Sequence, residues 1–428
     1  MILDSLQNAW KVADLRRKIG FTLLMFLIFR IGAHIPIPFV DHAVLKKMIG
    51  SGSIFNFLDT ISGGSFKNMT VFALNIMPYV TASIILQLLT VVIPTLERLS
   101  KEGDYGRKKI TQYTRYGTVL LGFVQGFGLT IGIRNALLIP NEAWRWPIYL
   151  MVAIVLTAGT TFLMWLGEAI TEKGIGNGIS LIIFAGIVSR VPNGLKSLYS
   201  LALVGEVSIF SIVGLVIIAA LVIVGVIYIQ EGRRKINVQY AKRVVGRRVY
   251  GGQSSHIPLM VNQAGVIPII FGISLLAFPQ TIATWAPNSG FAQFVNQWFS
   301  MNGSLTSIPY LILYGILILF FTFFYTAITF NPVDVADNLK KYGGFIPGLR
   351  PGRPTSDYIS KVLNRITLVG ALFLAVIAVL PSLVIGLTGL KNVYFGGTSL
   401  LIVVGVALDT MKQLESQLMM RNYQGFMK

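Results

Sequence analysis

The chain contains no cysteine and only three histidines, His34, His42 and His256, with no two at helical ligand spacing. The first absence excludes disulfides, thiolate metal sites and thiol nucleophiles; the second removes the commonest imidazole ligand sets. No metal or other cofactor is expected. Charge is scarce as well: 12% of the 428 residues are Asp, Glu, Lys or Arg, about half the share of an ordinary soluble domain. Acids are the scarcer sign, 17 Asp+Glu against 36 Lys+Arg for a net charge of +19. A soluble globular fold is therefore excluded, and the basic excess must crowd onto whatever remains in water, facing lipid headgroups, nucleic acid or acidic protein.

What is abundant is apolar sequence: 54% of residues are hydrophobic and the mean hydropathy is +0.69. Ten apolar runs have membrane-spanning character, centred in 19–38, 69–93, 116–133, 147–167, 178–192, 207–229, 257–280, 308–330, 366–386 and 393–411. The fifth is short, and the distribution of basic residues decides it. With both termini cytoplasmic, 27 of the 36 Lys+Arg fall in the cytoplasmic segments and 8 in the opposite ones. Without a crossing at 178–192 the basic loops 231–256 and 331–365 would flip outward, so ten helices are predicted. The first run follows Lys11, Arg16, Arg17 and Lys18 and ends in IPIP without a small-residue cleavage site; it is expected to stay as an uncleaved helix.

Two features suggest a cavity inside the bundle. Residues 54–66 (IFNFLDTISGGSF) are too short and too polar to span, and irregular backbone survives at membrane depth only against protein or trapped water. An amphipathic loop lying on the membrane is the competing reading. The second helix of each half also carries a proline inside an apolar run, NIMPYV at 75–80 and GVIPII at 265–270. Matching interruptions in two halves point to a pathway between halves of inverted topology, or else each proline merely kinks a packed helix.

The cytoplasmic segments 231–256 and 331–365 hold the largest polar stretches. The first mixes β-branched, aromatic and basic residues around Gly246 and reads as a protruding hairpin or loop; the second ends in a Gly/Pro-rich turn exposing Arg350 and Arg353. Attraction to anionic lipid would explain the charge, and docking of a large cytosolic partner would explain charge, length and shape together. The GIGNGIS segment at 174–180 lacks the Lys-Ser/Thr of a phosphate-binding loop and reads as a sharp inter-helix connection. Paired carboxylates are missing at membrane depth, Arg30 being the single deep charge, so neither an enzyme nor a proton- or ion-coupled secondary transporter is favoured.

The stretches 71–118, 164–188 (MWLGEAITEKGIGNGISLIIFAGIV), 240–271, 330–352 (FNPVDVADNLKKYGGFIPGLRPG) and 394–406 (YFGGTSLLIVVGV), in this order and spacing, resemble the SecY family in its bacterial form over essentially the whole chain. The resemblance implies an all-α polytopic membrane protein: ten transmembrane helices in two inverted five-helix halves, 1–200 and 201–428, around an hourglass pore. It implies a protein-conducting channel that moves unfolded secretory polypeptides across the bacterial plasma membrane and releases transmembrane segments sideways into lipid. Matching motifs position by position places the apolar pore ring at Ile76, Val80, Ile183, Ile270 and Ile402. The plug falls at about 54–66, including Phe55, Asn56, Phe57, Leu58, Asp59, Ser62, Gly63 and Gly64. Helices 2 and 3 against 7 and 8 would form the lateral gate, with Thr81, Gln125 and Asn262 as its polar cluster. Arg243, Arg247, Arg248 and Arg350 match surfaces that dock the motor ATPase SecA or the ribosome, and SecE and SecG are the implied small membrane partners. A β-branched collar has a physical logic of its own: it excludes water and ions, yet offers no fixed hydrogen-bond pattern to a passing chain.

Overall fold

A computed structural model describes residues 10–49, 59, 62–204, 209–240, 243–245, 248–250, 254–285, 289–298, 308–388 and 397–425. In chain order the helices are α1 (Ala13–Gly32), α2 (His42–Ile49), α3 (Met77–Val92), α4 (Pro94–Lys101), α5 (Asp104–Gly132), α6 (Arg145–Lys173), α7 (Gly178–Val188), α8 (Val191–Val204) and α9 (Ile209–Glu231). After four short strands come α10 (Ile267–Trp285), α11 (Gly290–Trp298), α12 (Ile308–Thr329), α13 (Pro332–Lys341), α14 (Arg353–Thr388) and α15 (Gly397–Gly425). Each of the ten apolar runs read from the sequence overlaps one of these helices. Among the described residues, Glu142–Lys173, Gly178–Lys196, Ile308–Lys341 and Arg353–Leu380 are long and apolar enough on their own to cross a membrane. The chain is a multi-pass membrane protein.

The two mirrored prolines sit differently from the expectation of a break within a helix. Pro78 and Pro268 each fall at the start of their helices, α3 and α10, where a residue without an N–H costs no hydrogen bond. Three residues before each proline the backbone turns left-handed, at Asn75 (φ 52°) and Gly265 (φ 61°). Glycine and asparagine are the residues that tolerate this conformation best. The apolar runs therefore begin in turns, and residues 69–76 and 261–266 feed the helices from within the bundle.

Local chemistry sets the other boundaries. Asn177 caps α7 by accepting from the N–H groups of Ile179 (3.1 Å) and Ser180 (3.2 Å). The glycine-rich segment before it is a close-packing turn: a Cβ on Gly178 would lie 1.9 Å from the Gly167 carbonyl oxygen. α3 and α4 meet at a bend of 101° where Pro94 starts the second helix.

Packing follows the chain within each half. α5 packs on α6 and α3, and α6 on α1 and α7; α12 packs on α10 and α14, and α15 on α9 and α14. The halves meet along two seams, α3 and α5 against α10, and α7 against α15. A single apolar cluster runs through both. Large apolar side chains such as Leu24, Leu27, Val216, Leu221, Ile316 and Val376 point outward, as lipid-facing surfaces require.

Outside the helical bundle the described residues form two small sheets. β1 (Arg233–Tyr240) pairs antiparallel with β4 (Ser254–Met260), with Ile236 opposite Ile257, and with β5 (Gly344–Phe345), while β2 (Arg243–Val245) and β3 (Arg248–Tyr250) pair as a separate hairpin. β1 alternates strictly at Ile236 and Val238, whose side chains join Leu259, Leu339, Ile346, Ile359 and Leu363 in one buried cluster. The two basic loops read separately from the sequence thus form one folded body.

Candidate functional site

The five residues expected to form the ring come from four helices and both halves. Ile76 caps α3 and Val80 follows one turn later, its N–H bonded to the Ile76 carbonyl at 3.1 Å. Ile183 lies in the middle of α7, and Ile270 and Ile402 lie near the starts of α10 and α15. Their exposures are 0%, 5%, 2%, 8% and 2%, and all five belong to the same buried cluster. Three helix starts and the middle of α7 therefore place these branched apolar side chains in the core shared by the halves.

Next to the end of α7, Asp59 and residues 62–70 are held by a local network. The Asp59 carboxylate pairs with the Arg190 guanidinium and accepts the Lys67 N–H at 2.7 Å. Its carbonyl accepts the Gly64 N–H at 2.9 Å and the Ser62 hydroxyl at 3.2 Å, and the Ser62 Oγ in turn accepts the Phe66 N–H. Gly63 is fixed by its surroundings: with φ 67°, a Cβ there would lie 2.8 Å from Ser189 Oγ and 2.9 Å from the Gly186 carbonyl oxygen. Gly64, at φ 93°, has nothing closer than Arg190 Nε at 3.8 Å. Phe55, Asn56, Phe57 and Leu58 lie outside the described residues.

At the seam, Thr81 on α3 and Gln125 on α5 are half-buried and Asn262 is buried. The bonds that Thr81 and Asn262 make are local, to the Met77 carbonyl (3.0 Å) and the Gly265 carbonyl (3.0 Å). A polar contact that does cross the seam involves Ser274 of α10, which meets Met77 Sδ of α3 at 3.6 Å while donating to the Ile270 carbonyl. Sequence reasoning missed Ser274, and no spacing signal marks it. It missed Arg190 too, counted only as one basic residue of an outer loop, because its partner is 131 positions away.

At the sheet of β1, β4 and β5, Arg350 is exposed in the turn between β5 and α14. The turn is shaped by Gly348 (φ 83°) and Gly352 (φ 104°), and the Thr355 hydroxyl closes on the Arg350 carbonyl at 2.9 Å. Arg243 pairs with Tyr250, and Arg248 with Val245, in the β2–β3 ladder; Arg247 lies outside the described residues. Arg115 of α5 bridges to Glu168 of α6 at 2.8 Å. On the exposed α4, hydrogen bonding to Lys101 holds the Glu97 carboxyl below its usual range.

Comparison with known proteins adds independent findings. Residues 70–411 match the SecY family model. Curated relatives named Protein translocase subunit SecY include that of Halalkalibacterium halodurans, 50% identical over 99% of both chains, and that of Bacillus subtilis, 49% identical over the full length of both. Among solved structures, one described as a protein conducting channel matches with TM-score 0.66 at 19% identity, covering 94% of this chain and 92% of that one. Sec61 in a canine ribosome-channel complex from the endoplasmic reticulum matches with TM-score 0.64 at 20% identity, over 94% and 92% of the two chains.

Proposed function

This chain belongs to the SecY family of protein-conducting channels, and from that premise we propose how it works. Ile76, Val80, Ile183, Ile270 and Ile402 form the constriction of an hourglass pore between an N-terminal half, 1–200, and a C-terminal half, 201–428. The observation that supports this reading is that all five, from four helices of both halves, are buried members of one apolar cluster. A collar of this kind closes to ions when empty and yields around a chain in transit, because side chains held by dispersion and water exclusion lose no directional bonds when they part.

The segment around 54–66 acts as the plug on the far side of the ring. α3 and α5 against α10, with α12 behind it, form the lateral gate through which apolar segments reach lipid. Thr81, Gln125 and Asn262 give that seam polar side chains, Thr81 and Asn262 bonded within their own segments; hydrogen bonds between membrane helices, worth about 0.6–2 kcal/mol, are open to them as the seam parts around a hydrophobic signal helix. The chain sits in the bacterial plasma membrane with both termini cytoplasmic. It assembles with SecE and SecG, and supplies no chemical step of its own. Arg350, Arg243, Arg247 and Arg248 meet the motor SecA or the ribosome; arginine suits both, since its fork pairs with carboxylates and with rRNA phosphates alike.

The test uses proteoliposomes holding this chain with SecE and SecG, supplied with SecA, ATP and a secretory precursor. The precursor is expected to become protease-protected, and protection is expected to vanish without ATP or with Arg350→Glu. Protection that persists with Arg350→Glu would remove that residue from the coupling. Its absence throughout, in vesicles where another SecY complex works, would overturn motor-driven translocation.

A further inference from the structure

Asp59 is 2% exposed, and a carboxylate that deep stays ionised only when it is paired and hydrogen-bonded. It is both: Arg190 meets one oxygen, and the Lys67 N–H meets the other. Arg190 follows directly on the helix that carries Ile183, and Gly186, Ser189 and Arg190 form the floor on which Gly63 and Gly64 rest. The element that contributes a ring residue therefore also supplies the cation that receives the carboxylate. The Arg190 side chain is 29% exposed, so its outer edge stays in contact with water.

We propose that the Asp59–Arg190 ion pair is a latch that keeps Asp59 and residues 62–67 seated against the end of α7. It is a positioning contact whose strength depends on how dry the vestibule is. The Coulomb attraction of a close pair rises several-fold as its surroundings lose water. The attraction within the seated pair is therefore screened further when more water or a polar chain enters beside it, while release returns both charges to hydration. Apolar packing has no such dependence, since it is strongest when surrounded by water. A latch that loosens on wetting makes opening cooperative: the first displacement lowers the cost of the next. Loss of Arg190 strands the Asp59 carboxylate in a buried site, loss of Asp59 removes the contact itself, and either way the seated arrangement loses its advantage over the released one.

This inference rests on the channel reading above, and the experiment separates the two. Potassium efflux is measured from proteoliposomes carrying the full chain with SecE and SecG. The variants are Asp59→Asn, Arg190→Gln, the double variant and Arg190→Lys, with Ile402→Ser as the ring reference and a thermal midpoint taken for each. Each neutralising single is expected to raise efflux at least about tenfold, equivalent to 1.4 kcal/mol. The double variant is expected to leak no more than the leakier single, because both remove one contact, and Arg190→Lys, which keeps the charge, is expected to stay near wild type. Singles that do not leak while Ile402→Ser does, or single effects that multiply in the double variant, would overturn the latch and leave the channel reading standing. A silent Ile402→Ser would overturn the channel reading and the latch with it. Should Asp59→Asn fail to fold, Arg190→Gln against Arg190→Lys decides: leak in the first alone supports the latch, and leak in both or neither overturns it.

Discussion

Replacing Gly63 by alanine isolates steric seating from charge. At φ 67° a Cβ costs about 1–2 kcal/mol of backbone strain. At this site the Cβ would also stand 2.9 Å from the Gly186 carbonyl oxygen, a backbone atom that cannot rotate away, which adds about 1–3 kcal/mol of overpacking. Gly64 provides the matched control, because alanine there bears the strain of φ 93° but meets nothing closer than 3.8 Å. At 1.4 kcal/mol per tenfold, Gly64→Ala shifts the seated-to-released equilibrium about 5- to 30-fold, and Gly63→Ala at least about 30-fold. The assay is potassium efflux from proteoliposomes, normalised to inserted protein. Equal leak from the two variants would refute the packing argument, since only the clash separates them. Silence from both would refute the seating of this segment as a seal.

Other variants test the remaining parts. Leu259→Ala removes a fully buried side chain shared by both cytoplasmic loops and is expected to cost about 2–5 kcal/mol. Trypsin should then cut near Arg233–Lys235 and near Lys340–Arg353 together, and sensitivity of one loop alone would contradict a single folded body. Asn75→Ala is expected to be about 1 kcal/mol less stable than Asn75→Gly in a thermal midpoint comparison, because both remove the same side chain and only alanine bears the strain of φ 52°. Glu168→Gln breaks a pair whose Arg115 is half exposed, so a stability change within about 1 kcal/mol is expected in a denaturation series.

The helices were legible because membrane spans announce themselves by length and apolarity, and the basic residues of 231–256 and 331–365 gave the expectation that these loops share one side. The starts of α3 and α10 were less legible. Apolar runs at 69–93 and 257–280 hide the turns at Asn75 and Gly265 and the strand β4, since composition alone cannot distinguish buried turn or strand from helix. The ring positions came from motif matching, and nothing in the periodicity of α7 or α15 separates Ile183 or Ile402 from neighbouring core residues. The join of the two cytoplasmic loops through β1, β4 and β5 depends on pairing Gln239 with Phe345 across more than a hundred residues, and pairing over that distance leaves no local signature. The same holds for Asp59 and Arg190.

That join gives the cytoplasmic face a mechanical property. β1 continues from α9, β4 leads into α10, and β5 lies between α12 and α14. A load applied anywhere on the sheet is shared among four membrane helices at their roots, as by a handle bolted at several points. Torque from a docked machine would therefore turn much of the C-terminal half as one body against α3 and α5, so a push delivered in water becomes a displacement at the seam within the membrane.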